Sequence, residues 1–159
     1  MSKRISIALA MVLVLALTSG VWLSASARGA VVPFKGYYIA HPKVIGVDEN
    51  GCLIQRMTGE GDATHLGTST WVSDALSCPA TWEQTGDITF TAASGDELWM
   101  RFSGTFTFDQ SGNAIFQGDY TITGGTGRLE GSGGTGAYWG MAIPNSVGEI
   151  SFNGTLEKP

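Results

Sequence analysis

From residue 28 onward, apolar residues alternate with polar ones instead of recurring at every third and fourth position, and glycine or β-branched residues interrupt almost every window. That pattern predicts strands and no helix of substance. The clearest segment is ELWMRFSGTFTFD, residues 97–109. Leu98, Met100, Phe102, Gly104, Phe106 and Phe108 fall on one face, and Trp99, Arg101, Ser103, Thr105 and Thr107 on the other. This is the period of two of a half-buried strand. Gly104, in the middle, predicts a bend of the kind that closes a barrel.

The neighbouring segments DITFTA (87–92) and AIFQGDYTIT (114–123) are joined to it by ASGD and DQSGN, turns that supply glycine where φ must be positive. Phe116, Tyr120 and Ile122 continue the inner face, while Gln117, Asp119, Thr121 and Thr123 point outward. Further strands are predicted at 34–40, 52–58, 63–72, 136–143 and 147–156. The expected fold class is therefore all-β, a single antiparallel β-barrel of about eight strands, because closure removes edges that would otherwise aggregate. A two-sheet β-sandwich is the alternative.

The N-terminal residues do not belong to that pattern. Lys3 and Arg4 precede the apolar run ISIALAMVLVLAL and then TSGVWLSASA, ending in Ala25-Ser26-Ala27. A basic start, an apolar stretch and an Ala-x-Ala end predict a signal peptide over 1–27 and a barrel domain over 28–159. A retained membrane anchor is the alternative, against which Thr18, Ser19 and Gly20 interrupt the run. The expected location is secreted or periplasmic, with membrane contact only through the signal peptide before cleavage. Without Lys3 and Arg4, seven basic residues face fourteen acidic ones, a net charge of about −7, which argues against nucleic acid as a partner. In an oxidising compartment, the only two cysteines, Cys52 and Cys78, are expected to be joined.

Residues 131–136, GSGGTG, satisfy G-x-G-x-x-G, but AYWGMAIPNS follows where a phosphate-binding helix would have to start. The glycines are expected instead in turns and a bulged strand, with Gly124, Gly125 and Gly127 supplying conformations other residues resist. YTITGGTGRLEG (120–131), followed by a second glycine cluster, resembles the turn of the barrel superfamily that joins plant allene oxide cyclases and dirigent proteins. GEGDATHLGTSTW (59–71) resembles an element of secreted bacterial members of that barrel type. The resemblance implies an antiparallel barrel of about eight strands with a mostly apolar cavity, and barrels that pair or form trimers. Such relatives cyclise an unsaturated fatty-acid epoxide or steer the coupling of phenoxy radicals. Neither activity carries over, because outside the glycine turn the sequence does not match those families' active-site residues.

No catalytic residue, metal ligand set or cofactor is assigned. His41 and His65 sit in no paired Cys/His pattern, and G-x-S-x-G and G-x-x-x-x-G-K-[ST] are absent. Asn153, in the sequon Asn153-Gly154-Thr155, reads as an outward-facing strand residue. Ligand-binding positions, if the barrel is hollow, are Leu98, Met100, Phe102, Phe106, Phe116 and Tyr120 as apolar lining, with His65 as polar anchor at one mouth. Trp99, on an otherwise polar face, offers a second copy a surface to cover. Three kinds of function remain: non-catalytic binding of a small lipophilic or aromatic molecule, isomerase or cyclase chemistry in the same cavity, and a structural barrel filled by its own side chains. Interior volume separates the last from the others, and convergent ionisable groups separate the second from the first.

Overall fold

Alternation sends every second side chain of a strand to the same face, and eight alternating segments here curl until the last pairs with the first. The computed structural model describes residues 29–143 and 146–159; the expected signal peptide, its cleavage site and the predicted anchor alternative lie outside the described residues. The strands are β1 (Val31–Val47), β2 (Leu53–Ala63), β3 (Gly67–Cys78), β4 (Glu83–Ala92), β5 (Glu97–Phe108), β6 (Ala114–Gly125), β7 (Gly134–Ala142) and β8 (Gly148–Glu157). Each pairs antiparallel with its sequence neighbours, and β1 pairs with β8, from Val31 opposite Glu157 to Ala40 opposite Gly148. The result is one closed barrel and not a two-sheet sandwich. Both described termini leave it side by side, where the Lys158 amide bonds the Ala30 carbonyl at 3.0 Å.

The inner face follows the predicted parity. Leu98, Met100, Phe102, Phe106, Phe116, Tyr120 and Ile122 are buried, and Trp99, Arg101, Gln117, Asp119, Thr121 and Thr123 are exposed. Phe108 has inward parity but is 58% exposed, because β5 runs out of barrel there. Arg101 pairs with Asp87 across the outer wall at 3.1 Å, an exposed contact of little weight. Asn153 is exposed on β8, as expected. The predicted strand over 63–72 is two strands and a turn: β2 runs to Ala63, and Thr64, His65 and Leu66 reverse the chain, with His65 at φ +70°. Two short turns elsewhere use Gly95 and Gly112 with positive φ, as predicted.

The glycine-rich stretch bends a sheet. Register slips by one residue between Trp99 and Met100, leaving Thr123 of β6 as the extra residue of a bulge. A 3-10 turn, Gly127–Leu129, follows, and no longer helix is found among the described residues. Gly124 and Gly127 have positive φ; Gly125 does not, and is needed because a Cβ there would press on the Leu129 carbonyl and side chain. Arg128 pairs with Asp96 at 2.7 Å, which seats the buried Leu129 over the barrel end.

Mid-strand glycines make room for aromatic rings. Tyr38 on β1 crosses Gly61 of β2 and hydrogen-bonds Ser69 of β3 at 2.7 Å. Trp71 on β3 crosses Gly59 in the opposite direction and donates to the Ile39 carbonyl of β1 at 3.3 Å. Gly104 has the same role: it faces Gly118, and Tyr138 of β7 lies over the pair. Phe34, Tyr38, Phe90, Tyr120 and Phe152 form a connected cluster whose contacting rings lie 5.0–6.5 Å apart, edge-on except for the tilted pair Tyr38–Phe90.

Two outcomes follow from this packing. Gly104→Ala would drive a Cβ into the Gln117 carbonyl and the Tyr138 hydroxyl. It is expected to destabilise the barrel by about 1–3 kcal/mol in urea unfolding, whereas Gly46→Ala, with no neighbour closer than 3.6 Å, should shift it by less than about 0.5 kcal/mol. Burial pushes the phenols of Tyr38, Tyr120 and Tyr138 from 10.0 up to about 12. Folding then keeps these protons that the unfolded chain releases. Their contribution is intact below pH 10 and is lost as pH rises through 10 towards 12. Denaturant midpoints measured over that window should fall, and less steeply in Tyr120→Phe.

Candidate functional site: the open mouth

The strands place their ends in two groups. The turns after β2, β4 and β6 and both described termini share one end, which Leu66, Leu98, Leu129 and Leu156 fill with buried apolar volume. The turns after β1, β3 and β5 share the other. There the inward positions are small or few: Pro42 on β1, Ser77 on β3, Ala114 on β6 and Ala142 on β7, set against the larger Phe106 and Phe116. Small residues facing small residues leave a mouth of about 290 Å3. Val44, Leu53, Met57 and Phe108 complete its apolar wall.

The rim is apolar and held. A bulge at Ile45 turns the end of β1, and Val44, Ile45 and Val47 stand exposed. Trp82, half-exposed in the turn before β4, packs its ring against Phe106 at 5.5 Å and Phe108 at 6.0 Å. Its backbone has φ +60°, a conformation that bulky residues resist. The Cys78 carbonyl accepts its amide at 2.8 Å and the Phe106 amide donates to its carbonyl at 3.0 Å, so both neighbours fix the strained residue. Cys52 and Cys78 are bonded to each other beside it, with Cα atoms 4.2 Å apart, closing the open end of the β2–β3 hairpin. Such a bond belongs to an oxidising compartment.

The polar groups of the mouth are neutral. Gln55, Ser77 and Gln84 line it, and among the described residues no Asp, Glu, His, Lys or Arg does. Gln84 is 7% exposed and donates its Nε2 to the Tyr138 hydroxyl at 2.8 Å. That bond spans two strands, which the Gly104–Gly118 pair makes possible. Below Gln84 lies a void of about 10 Å3, where Ser73 Oγ is fully buried and has no hydrogen-bond partner among the described residues. Charges stay outside: Asp48, Glu49, Glu83 and Asp109 are carried by the turns and strand start around the rim. The Asp109 carboxyl is held below the usual range, chiefly by the Asn113 backbone amide.

The predicted ligand positions separate by height in the barrel. Phe106 and Phe116 line the mouth, and Phe102 lines the small void beneath. Leu98, Met100 and Tyr120 are packed in the closed half, at most 2% exposed. His65 lies at the opposite end, exposed on the β2–β3 turn, with Nε2 3.2 Å from the Pro33 carbonyl. Gln84 was not singled out by sequence reasoning; the available signal is the alternation Gln84, Gly86, Ile88, Phe90. Trp99 is partly exposed, its Nε1 donating to Glu97 at 2.9 Å. Among the described residues no three His, Cys, Asp or Glu side chains cluster as a metal site. Comparison with known protein families, curated proteins and solved structures finds no match.

The disulfide closes a loop across a separation of 26 residues, and removing such a link costs about 3–4 kcal/mol through the freedom returned to the unfolded chain. The Cys52→Ala, Cys78→Ala double variant should lose that amount in urea unfolding. Hydrogen exchange should speed first at Leu53, Ile54 and Ser77, beside the mouth, with the closed half unchanged.

Proposed function

We propose that the chain is an exported, non-catalytic barrel of the allene oxide cyclase and dirigent type that binds a small lipophilic or aromatic molecule in the mouth. The observation that carries this reading is the mouth's chemistry: about 290 Å3 of apolar wall above a neutral polar floor. That volume stands at the lower edge of ligand pockets, about 300 Å3. The apolar rim supports capture of a lipophilic molecule, since exposed apolar patches of soluble proteins mark contact sites. Trp82 supports it too, because a strained, fixed aromatic at a rim is the kind of outlier that accompanies function. The disulfide and the Lys-Arg, apolar, Ala-x-Ala start support export. Acid–base cyclisation finds little support in a lining of apolar and amide groups. The site omits His65, which faces the other end.

Trp82 is a built-in reporter. A brominated naphthalene titrated into the protein should quench part of the tryptophan emission saturably, with the quenched part absent in Trp82→Phe while calorimetric binding persists. Ala142→Phe, which fills the mouth, should reduce affinity by about tenfold or more. Quenching that rises linearly without saturating, unchanged by Ala142→Phe, would sink the reading.

A further inference from the structure

We propose that the mouth selects a neutral hydroxylated molecule, an alcohol or phenol on an apolar body, and rejects carboxylates; this deepens the binding reading above and rests on it. The mouth and the void below it share Met57, Gln84 and Phe116, so only these side chains separate them. Tyr138 takes one N–H of the Gln84 amide, and the carbonyl oxygen of that side chain, which lines both the mouth and the void, has no hydrogen-bond partner among the described residues. Ser73, 1% exposed, brings a hydroxyl with no hydrogen-bond partner among the described residues to the same floor. The void's volume of about 10 Å3 is that of one small polar atom group.

A hydroxyl is the group that matches this floor. It donates to the Gln84 carbonyl and accepts from Ser73 Oγ with one oxygen atom. An ether or ketone can only accept, and an alkane leaves both protein groups unpaired, which carries a desolvation cost. A carboxylate fails twice. It cannot donate to Gln84, and it would enter a lining without a cation among the described residues, beneath a rim whose Asp48, Glu49, Glu83 and Asp109 outnumber Lys43.

Decanol and decanoate share an alkyl chain and separate the two cases in a calorimetric titration of the full barrel. Decanol should bind about tenfold or more tightly than decanoate at neutral pH, and decanoate binding should recover as pH falls through its own carboxyl pKa. Ser73→Ala should weaken decanol binding. Gln55→Lys, which sets a cation on the wall at a position with no side-chain hydrogen bond, should reverse the order and make decanoate the tighter ligand. Equal binding of the two by wild type, or tighter binding of decanoate, overturns the head-group assignment and leaves the binding reading standing. No saturable binding of either compound or of the brominated naphthalene, by protein that unfolds cooperatively, overturns both.

Discussion

A closed eight-stranded barrel has room inside for little beyond its own side chains, and the interlock of aromatic rings with glycines decides how that room is used. Tyr38, Trp71 and Tyr138 each lie across at least one glycine to reach a hydrogen-bond partner on a strand that is not their neighbour. The ladder ties each strand to the next; these three bonds tie strands two or three places apart. Where large meets glycine the interior is solid. Where small meets small, at Ser77, Ala114 and Ala142, the interlock stops and space remains. The mouth is thus the place where the packing rule lapses, and its polar floor is the last of the interlocked pairs, Tyr138 with Gln84.

The electrostatics divide along the same boundary. Ionic pairs, Arg56 with Asp74 and Arg101 with Asp87, sit directly opposite one another on the outer wall in the β2–β3 and β4–β5 ladders. Inside, the polar side chains are Tyr, Trp, Ser and Gln, which carry no charge, and burial favours the protonated form of the tyrosines. Asp48 and Asp109 accept backbone amides within their own turns at 2.8–2.9 Å, so the acidic rim is made of the residues that shape the turns.

Parity was legible in the sequence; height was not. In 97–108 and 114–123 the hydrophobic and polar sets agree with the strand period, and the inner face emerges residue by residue. Beyond Trp71 the agreement reverses. Ser73, Ala75 and Ser77 point inward while Val72 is exposed, because this part of β3 forms the wall and floor of the mouth and needs small residues. The turn at 64–66 hid for a related reason: Leu66 is apolar because it helps to seal the closed end, and His65 takes a left-handed backbone conformation without being glycine. Alternation places Leu98 and Phe106 on one face and says nothing of which lies near the opening. Gln84 belongs to no motif, and its significance comes from Tyr138, 54 residues away, with which only closure brings it together.

The adjacency of the two described chain ends has a geometric result. Because β1 and β8 are paired and both ends leave opposite the mouth, a tether at either end would hold the barrel with its opening turned away from the attachment. A short linker could likewise join Pro159 to Gly29 and pass no strand. New ends cut in the turn at Ser111 and Gly112 would then yield a circular permutant with every ladder neighbour preserved.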